Sequence, residues 1–102
     1  MIARRWHGRV PVENAAEYLR LMEELALPDY RSTEGNVAAW CLSRREGAIV
    51  HVEMLTLWED EAAIRRFAGQ DIETAKYYDF DAGFLIEMEP KVLHFDAVGG
   101  AT

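Results

Sequence analysis

The sequence predicts an α+β fold, one antiparallel sheet of four strands with two helices laid across it. Three observations predict it. Stretches rich in β-branched and apolar residues alternate with stretches whose apolar residues recur every three or four positions. Pro11, Pro28, Gly69 and Pro90, with the pairs Gly35-Asn36 and Glu46-Gly47, punctuate those stretches. The length, 102 residues, suits one compact domain.

The elements follow in order. Ile2–Arg9 has strand composition and stops at Pro11, which fits the first turn of a helix because its missing N–H costs nothing there. From Val12 to Leu27, Ala15, Tyr18, Leu19, Met22, Leu25 and Ala26 form one apolar stripe of an amphipathic helix, and Pro28 is expected to end it. Val37–Arg45 and Ala48–Trp58 read as a hairpin turning at Glu46-Gly47. Asp60 is a good cap for a second helix with Ala63, Ile64, Phe67 and Ala68 on one side, and Gly69 supplies its stop. Asp71 is expected to cap a short helical piece through Tyr77. Asp79–Gly83 reads as loop, and Val92–Val98 is the last strand. The order β-α-β-β-α-β is the ferredoxin-like plan. It occupies residues 1–98 as a single domain, leaving 99–102 as a disordered tail.

Composition narrows the function classes. Eleven basic against 18 acidic residues give a net charge of −7. Nucleic acids and anionic membranes are held by Lys and Arg, so neither is an expected partner. The longest apolar run, Val37–Leu42, is far short of the ~20 residues of a membrane span. Trp6-His7-Gly8-Arg9 stands where a signal peptide would carry its apolar stretch. A lone Cys41 excludes an intrachain disulfide and a multi-cysteine metal site. A small, acidic, cytoplasmic domain is expected.

The fold plan has a physical consequence. Two helices cover only one face of the sheet. With Glu46-Gly47 as a two-residue loop, Val37, Ala39, Cys41 and Ser43 share a face with Val50, Val52, Met54 and Thr56, all suited to lie under helices. The opposite face carries Ala38, Trp40, Leu42 and Arg44 with His51, Glu53, Leu55 and Leu57. That face is too apolar for open water and implies a partner surface. The economical solution is a second copy in a closed two-fold homodimer.

The candidate chemistry lies on this uncovered face. His51 and Glu53, two apart on one strand, are read as a general base with its orienting carboxylate, or as an interfacial pair fixing the register of the dimer. In the expected register Trp40 sits opposite Glu53 and Leu42 opposite His51. Trp40 and Trp6 are candidates to wall a pocket. Arg4 and Arg44 either face that pocket and hold an anionic group or are solvated. Tyr77 and Tyr78 either line its mouth or close the domain. His7, His51 and His94 lack any local metal-binding spacing, so no metal is expected. Cys41, on the helix-covered face, reads as a small hydrophobe. No Gly-rich phosphate loop, nucleophile elbow or zinc-protease motif occurs.

Trp6-His7-Gly8, Leu55-Thr-Leu-Trp-Glu59, Phe67-Ala-Gly-Gln-Asp71, Ala75-Lys-Tyr-Tyr78 and Phe84-Leu85 together resemble the antibiotic-biosynthesis-monooxygenase proteins of the dimeric α+β barrel superfamily. The resemblance spans essentially residues 1–97. It implies a homodimer whose sheets form a barrel, with a pocket between sheet and helices in each subunit. The members it implies include cofactor-independent oxygenases acting on aromatic polyketides, haem-degrading enzymes, and many proteins of no established activity. The haem-degrading branch uses an Asn, a Trp and a His, and the matching positions here hold Trp6, Phe67 and Tyr77, so that activity is disfavoured. The oxygenase reading needs no cofactor. His51 would take a proton from a small aromatic or polyketide-like substrate, Glu53 would orient it, and Trp6, Trp40, Phe67, Tyr77 and Arg4 would form the substrate pocket. The alternatives are a non-catalytic or stress-associated barrel that holds a small apolar ligand, and an interaction module whose pocket is filled.

Overall fold

A computed structural model describes residues 1–100. These residues form an open antiparallel sheet of strands β1 (Ile2–Pro11), β2 (Asn36–Glu46), β3 (Ile49–Trp58) and β4 (Leu93–Asp96), in the spatial order β2-β3-β1-β4. A helical rod built from α1 (Ala15–Leu21), a π-helical turn (Met22–Ala26) and α2 (Leu27–Ser32) covers one face together with α3 (Glu61–Ala68). This is the ferredoxin-like βαββαβ arrangement that the punctuation predicts.

Pro28 does not end the first helix, which continues to Ser32. Proline removes one N–H and crowds the carbonyl four residues back. The wider π-helical turn lies just before it, with Leu27 N–H donating to the Met22 carbonyl five residues back, and the chain passes Pro28 without losing direction. Asp60 caps α3 as expected, its carboxylate accepting from Ala63 N–H at 2.9 Å. Gly69, at φ +98°, stops that helix.

The hairpin turns at Gly47-Ala48 rather than at Glu46-Gly47. Glu46 pairs with Ile49, Leu42 with Glu53 and Trp40 with Leu55. Tight hairpin loops require positive φ at the first central residue, which glycine accepts and glutamate resists. Gly47, at φ +61°, takes that place. The register therefore moves by two residues, and with a period of two the faces survive. Val50, Val52, Met54, Thr56 and Trp58 are buried beneath the helices, with Ala39. Val37 departs from the expected pattern and is half-exposed. A bulge between Asn36 and Ala38 takes it out of the ladder, and Asn36 Nδ2 fastens that bulge by donating to the Ala38 and Leu57 carbonyls, each at 3.2 Å.

No helix forms over 71–77. Asp71 turns the chain by accepting from Glu73 N–H at 3.1 Å, and the backbone beyond is drawn into an extended pairing with 90–92. Ala75 N–H reaches the Pro90 carbonyl at 3.0 Å, and Val92 N–H the Glu73 carbonyl at 2.9 Å. The last strand is shorter than expected, Leu93–Asp96, because Val92 is engaged there. Gly99 and Gly100 of the expected tail have no regular structure, and 101–102 lie outside the described residues.

Candidate functional site

Alternation along each strand sorts the expected site residues between two faces. On β1, Arg4, Trp6, Gly8 and Val10 point under the helices, and Ala3, Arg5, His7 and Arg9 point to the uncovered face. His51, Glu53, Leu55 and Leu57 of β3 share that uncovered face with Trp40 and Leu42 of β2. The seven expected residues therefore divide. Arg4, Trp6, Phe67 and Tyr77 lie on the helix side, while His51, Glu53 and Trp40 lie beyond the sheet.

The helix-side group is packed, not hollow. Trp6 meets Tyr77 edge-on at 6.0 Å, over the gap left by Gly8, whose missing Cβ would stand 2.6 Å from the Trp6 ring. Phe67 stacks on Tyr30 at 4.2 Å and abuts Trp58 at 5.5 Å. Arg4 is only 1% exposed. Its guanidinium donates to the Ile72 and Thr74 carbonyls, lies 3.1 Å from His94 Nε2, and stands over the Phe67 ring. Burial holds its pKa below the ordinary arginine value. Arg4 thus clasps the long connection after α3 to β1. Asp81, also buried, accepts from Tyr18 Oη at 2.7 Å and Tyr78 N–H at 2.6 Å and ties the same connection to α1. Burial raises its carboxyl above the usual range despite those two donors.

The uncovered face has two halves. Towards β4 it is apolar, with Trp40, Leu55, Leu57, Ala3, Leu93 and Phe95 lying across the four strands. Trp40, Leu93 and Phe95 are each about half-exposed (47, 53 and 50%). Towards the hairpin it is polar and concave. A cavity of about 390 Å³ opens there, lined by Arg5, His7, Leu42, Ser43, Arg44, His51 and Glu53. Trp40 does not border it. Trp40 instead lines a second hollow of about 360 Å³, between the helical rod and the free edge of β2, with Cys41 and Arg31.

In the cavity wall His7 lies opposite Glu53, and His51 lies opposite Arg9, so the two imidazoles are diagonal neighbours within side-chain reach. His7 Nε2 and His51 Nδ1 are 3.0 Å apart. Glu53 does not orient His51. It faces Arg5 Nε at 3.3 Å, and the carboxylate beside His51 is Glu46, 3.0 Å from Nε2. Neighbours along one strand side by two residues are roughly 6.5–7 Å apart, which leaves cross-strand and loop groups better placed to bond the ring. The His51 hydrogen bond and the nearby Arg44 charge hold the Glu46 carboxyl below its usual value. On the other side, Ile86 N–H bonds the Arg9 carbonyl at 2.9 Å and lays residues 84–89 beside β1. That brings Glu89 Oε2 to 2.6 Å from His7 Nδ1.

Sequence reasoning missed His7, Glu46 and Glu89 as members of the site. Strand parity places His7 with His51 once β1 is paired to β3, whereas no spacing signal marks Glu89. His94 sits opposite Arg4 under the helices, so the three histidines do not share a face. Among the described residues no cluster of three or more His, Cys, Asp or Glu could hold a metal, and no helix is long and apolar enough to cross a membrane. Neither a family model nor a curated protein matches the chain.

Proposed function

We propose that this protein is a cytoplasmic, cofactor-independent monooxygenase of the antibiotic-biosynthesis-monooxygenase type, acting on a small aromatic or polyketide-like substrate. The observation that carries the proposal is the cavity of about 390 Å³ beside the sheet, with two imidazoles in its wall. Ligand pockets start at roughly 300 Å³, so a small aromatic molecule fits. His51 is the base. It takes a proton from an activated methylene, and the carbanion reacts directly with O₂. One oxygen atom becomes the new carbonyl, and the other leaves as water, whose two hydrogens equal in number those the methylene gives up. Arg5 and Arg44 stand where they attract the anion as its charge develops.

The apolar half of the uncovered face is proposed to pack on a second copy, with an isologous contact of the usual ~800 Å² per partner. Sedimentation at micromolar concentration separates a species of 11.7 kDa from one twice that mass. The lighter species refutes the homodimer.

One observation favours a second reading, a non-catalytic barrel that binds a small molecule. Each ring nitrogen of His7 and His51 already has a polar partner, so the resting site presents no free base. Oxygen uptake with anthrone and with quinols decides between the readings. The oxygenase consumes O₂, and His51→Ala lowers its rate by about 10²–10⁴-fold, the usual worth of a general base. A wild-type protein that binds anthrone and consumes no oxygen establishes the second reading instead.

A further inference from the structure

The polar groups around the two imidazoles obey a proton count. Three contacts run in a row, Glu89 Oε2 to His7 Nδ1 at 2.6 Å, His7 Nε2 to His51 Nδ1 at 3.0 Å, and His51 Nε2 to Glu46 Oε1 at 3.0 Å. The ring planes are 25° apart and the centroids 5.3 Å apart, so the rings meet edge to edge through their nitrogens. An ionised carboxylate only accepts. Each outer nitrogen must therefore carry a hydrogen, and the central contact needs one more. Two neutral imidazoles have two ring hydrogens between them, one too few. The row closes only when the pair carries three, and with them one positive charge.

The surrounding charges say which group balances it. Arg5 faces Glu53 at 3.3 Å, Arg9 faces Glu87 at 3.3 Å, and Arg44 faces Glu46 at 3.5 Å. Among the described residues, Glu89 is the carboxylate at this cluster with no arginine of its own. The imidazole charge is its counterion.

We propose that His7 and His51 form one proton-holding unit that carries a proton away from the cavity to Glu89. The inference rests on the reading of His51 as the base for its catalytic half, and the proton count stands without it. In the working cycle the exposed Glu46 releases its hydrogen bond, and the proton on His51 Nε2 leaves to water. The bared Nε2 takes the proton of the substrate. The hydrogen between the rings moves onto His7 Nε2, and the one on His7 Nδ1 passes to Glu89 Oε2. Two protons leave the unit, one from His51 Nε2 to water and one through Glu89 to solvent, one enters from the substrate, and one taken back from solvent at His7 Nδ1 restores the row; no electrons move. His51 is the catalytic residue, and His7 is a positioning residue acting through it.

Nitrogen-15 NMR of the full chain across pH tests the unit without any substrate, with His94 as internal reference. Wild type is expected to show His7 Nε2 and His51 Nδ1 at shifts between the protonated and bare extremes, with both rings titrating together. Glu89→Gln, a near-isosteric change at a partly exposed side chain, is expected to move the joint transition of the pair to lower pH, since it removes the facing charge. His7→Gln leaves His51 titrating as a solitary ring. Two rings that titrate independently in wild type, or a His51 curve unmoved by Glu89→Gln, overturn the proposal, and Glu89→Gln decides if His7→Gln does not fold. With anthrone as substrate, His7→Gln is expected to lower kcat about tenfold and displace its pH profile, with KM unchanged. An unmoved profile overturns the relay. A wild type that consumes no oxygen overturns the enzyme reading and the catalytic half of this one, while the NMR result still decides the shared proton.

Discussion

Replacing Gly35 with alanine tests how the helical layer closes over the site-bearing sheet. Gly35 joins α2 to β2 at φ +93°, and its carbonyl accepts from Glu59 N–H at 2.9 Å. A Cβ at this position would stand 2.3 Å from the Cβ of Ala63, a fully buried residue of α3. Neither methyl can rotate away, so α3 or the α2–β2 connection must shift. Two costs add. A left-handed conformation for a residue with a Cβ costs about 1–2 kcal/mol, and overpacking a close contact costs about 1–3 kcal/mol more. Gly47→Ala isolates the first cost, because Gly47 also has positive φ and nothing lies within 4 Å of its added Cβ. Urea unfolding of wild type and both variants, followed by tryptophan fluorescence, is the assay. Gly35→Ala is expected to lose about 2–5 kcal/mol and Gly47→Ala about 1–2 kcal/mol, at equal m values. For a domain of this size each kcal/mol is worth about 4–8 °C in Tm. Equal losses in the two variants would refute the reasoning, since the contact with Ala63 would then cost nothing.

Gly8→Ala is expected to cost about 1–3 kcal/mol, because the new methyl meets the rigid Trp6 ring at 2.6 Å and Leu85 Cδ2 at 2.8 Å. A double-mutant cycle with Trp6→Leu should return part of that loss, and additive effects would count against the contact. Burial and the neighbouring Arg4 charge lower the His94 pKa, while Glu73 and Glu61 oppose them. A folded-state pKa below the unfolded one means the unfolded chain takes the proton first. The contribution of His94 is thus complete above pH ~6.5 and is lost as pH falls through the lower folded value. His94→Gln keeps an acceptor for Arg4, so the urea midpoint should fall less between pH 8 and pH 5 in the variant than in wild type, and an equal fall contradicts this. Burial, helped by Glu23, pushes the Cys41 thiol up to about 11 from its ordinary 9.0. Iodoacetamide at pH 7.5 should label the unfolded chain roughly 10²-fold faster than the folded one, as two pH units of thiolate population require, and similar rates would show that Cys41 is not shielded.

The division of the hairpin into two faces is legible in the sequence, because side-chain direction alternates strictly and the buried set Val50, Val52, Met54 and Thr56 is apolar or small. Its cross-strand partners were not legible. They depended on which residue accepts positive φ at the turn, and moving the turn by one position gave Trp40 a partner in Leu55 instead of Glu53. The candidate site followed the same division. His51 was readable as a polar group on an apolar face, but its bonded neighbours come from β1 and from the end of β2, and the connection after α3 adds Glu89 through His7. Arg4 and Trp6 looked available for a pocket because both belong to a strand rich in polar residues. Parity with Gly8 and Val10 put them under the helices, where the two terminal guanidinium nitrogens of Arg4 donate to backbone carbonyls. Pro28 shows the limit of a local rule, since the π-helical turn before it absorbs the missing hydrogen bond.

The sequence by itself determined the order of elements, the helix-covered face and the unusual apolarity of the face opposite. These depend on periodicity, capping and turn chemistry, all of which act within a few residues. Only the tertiary structure decided that His7 and His51 meet, that Glu46 and Glu89 close the row at its ends, and that Glu53 belongs to Arg5. The His7–His51 and His7–Glu89 contacts join residues 44 and 82 positions apart along the chain. Strand register and the path of one long connection bring them together, and neither leaves a local pattern.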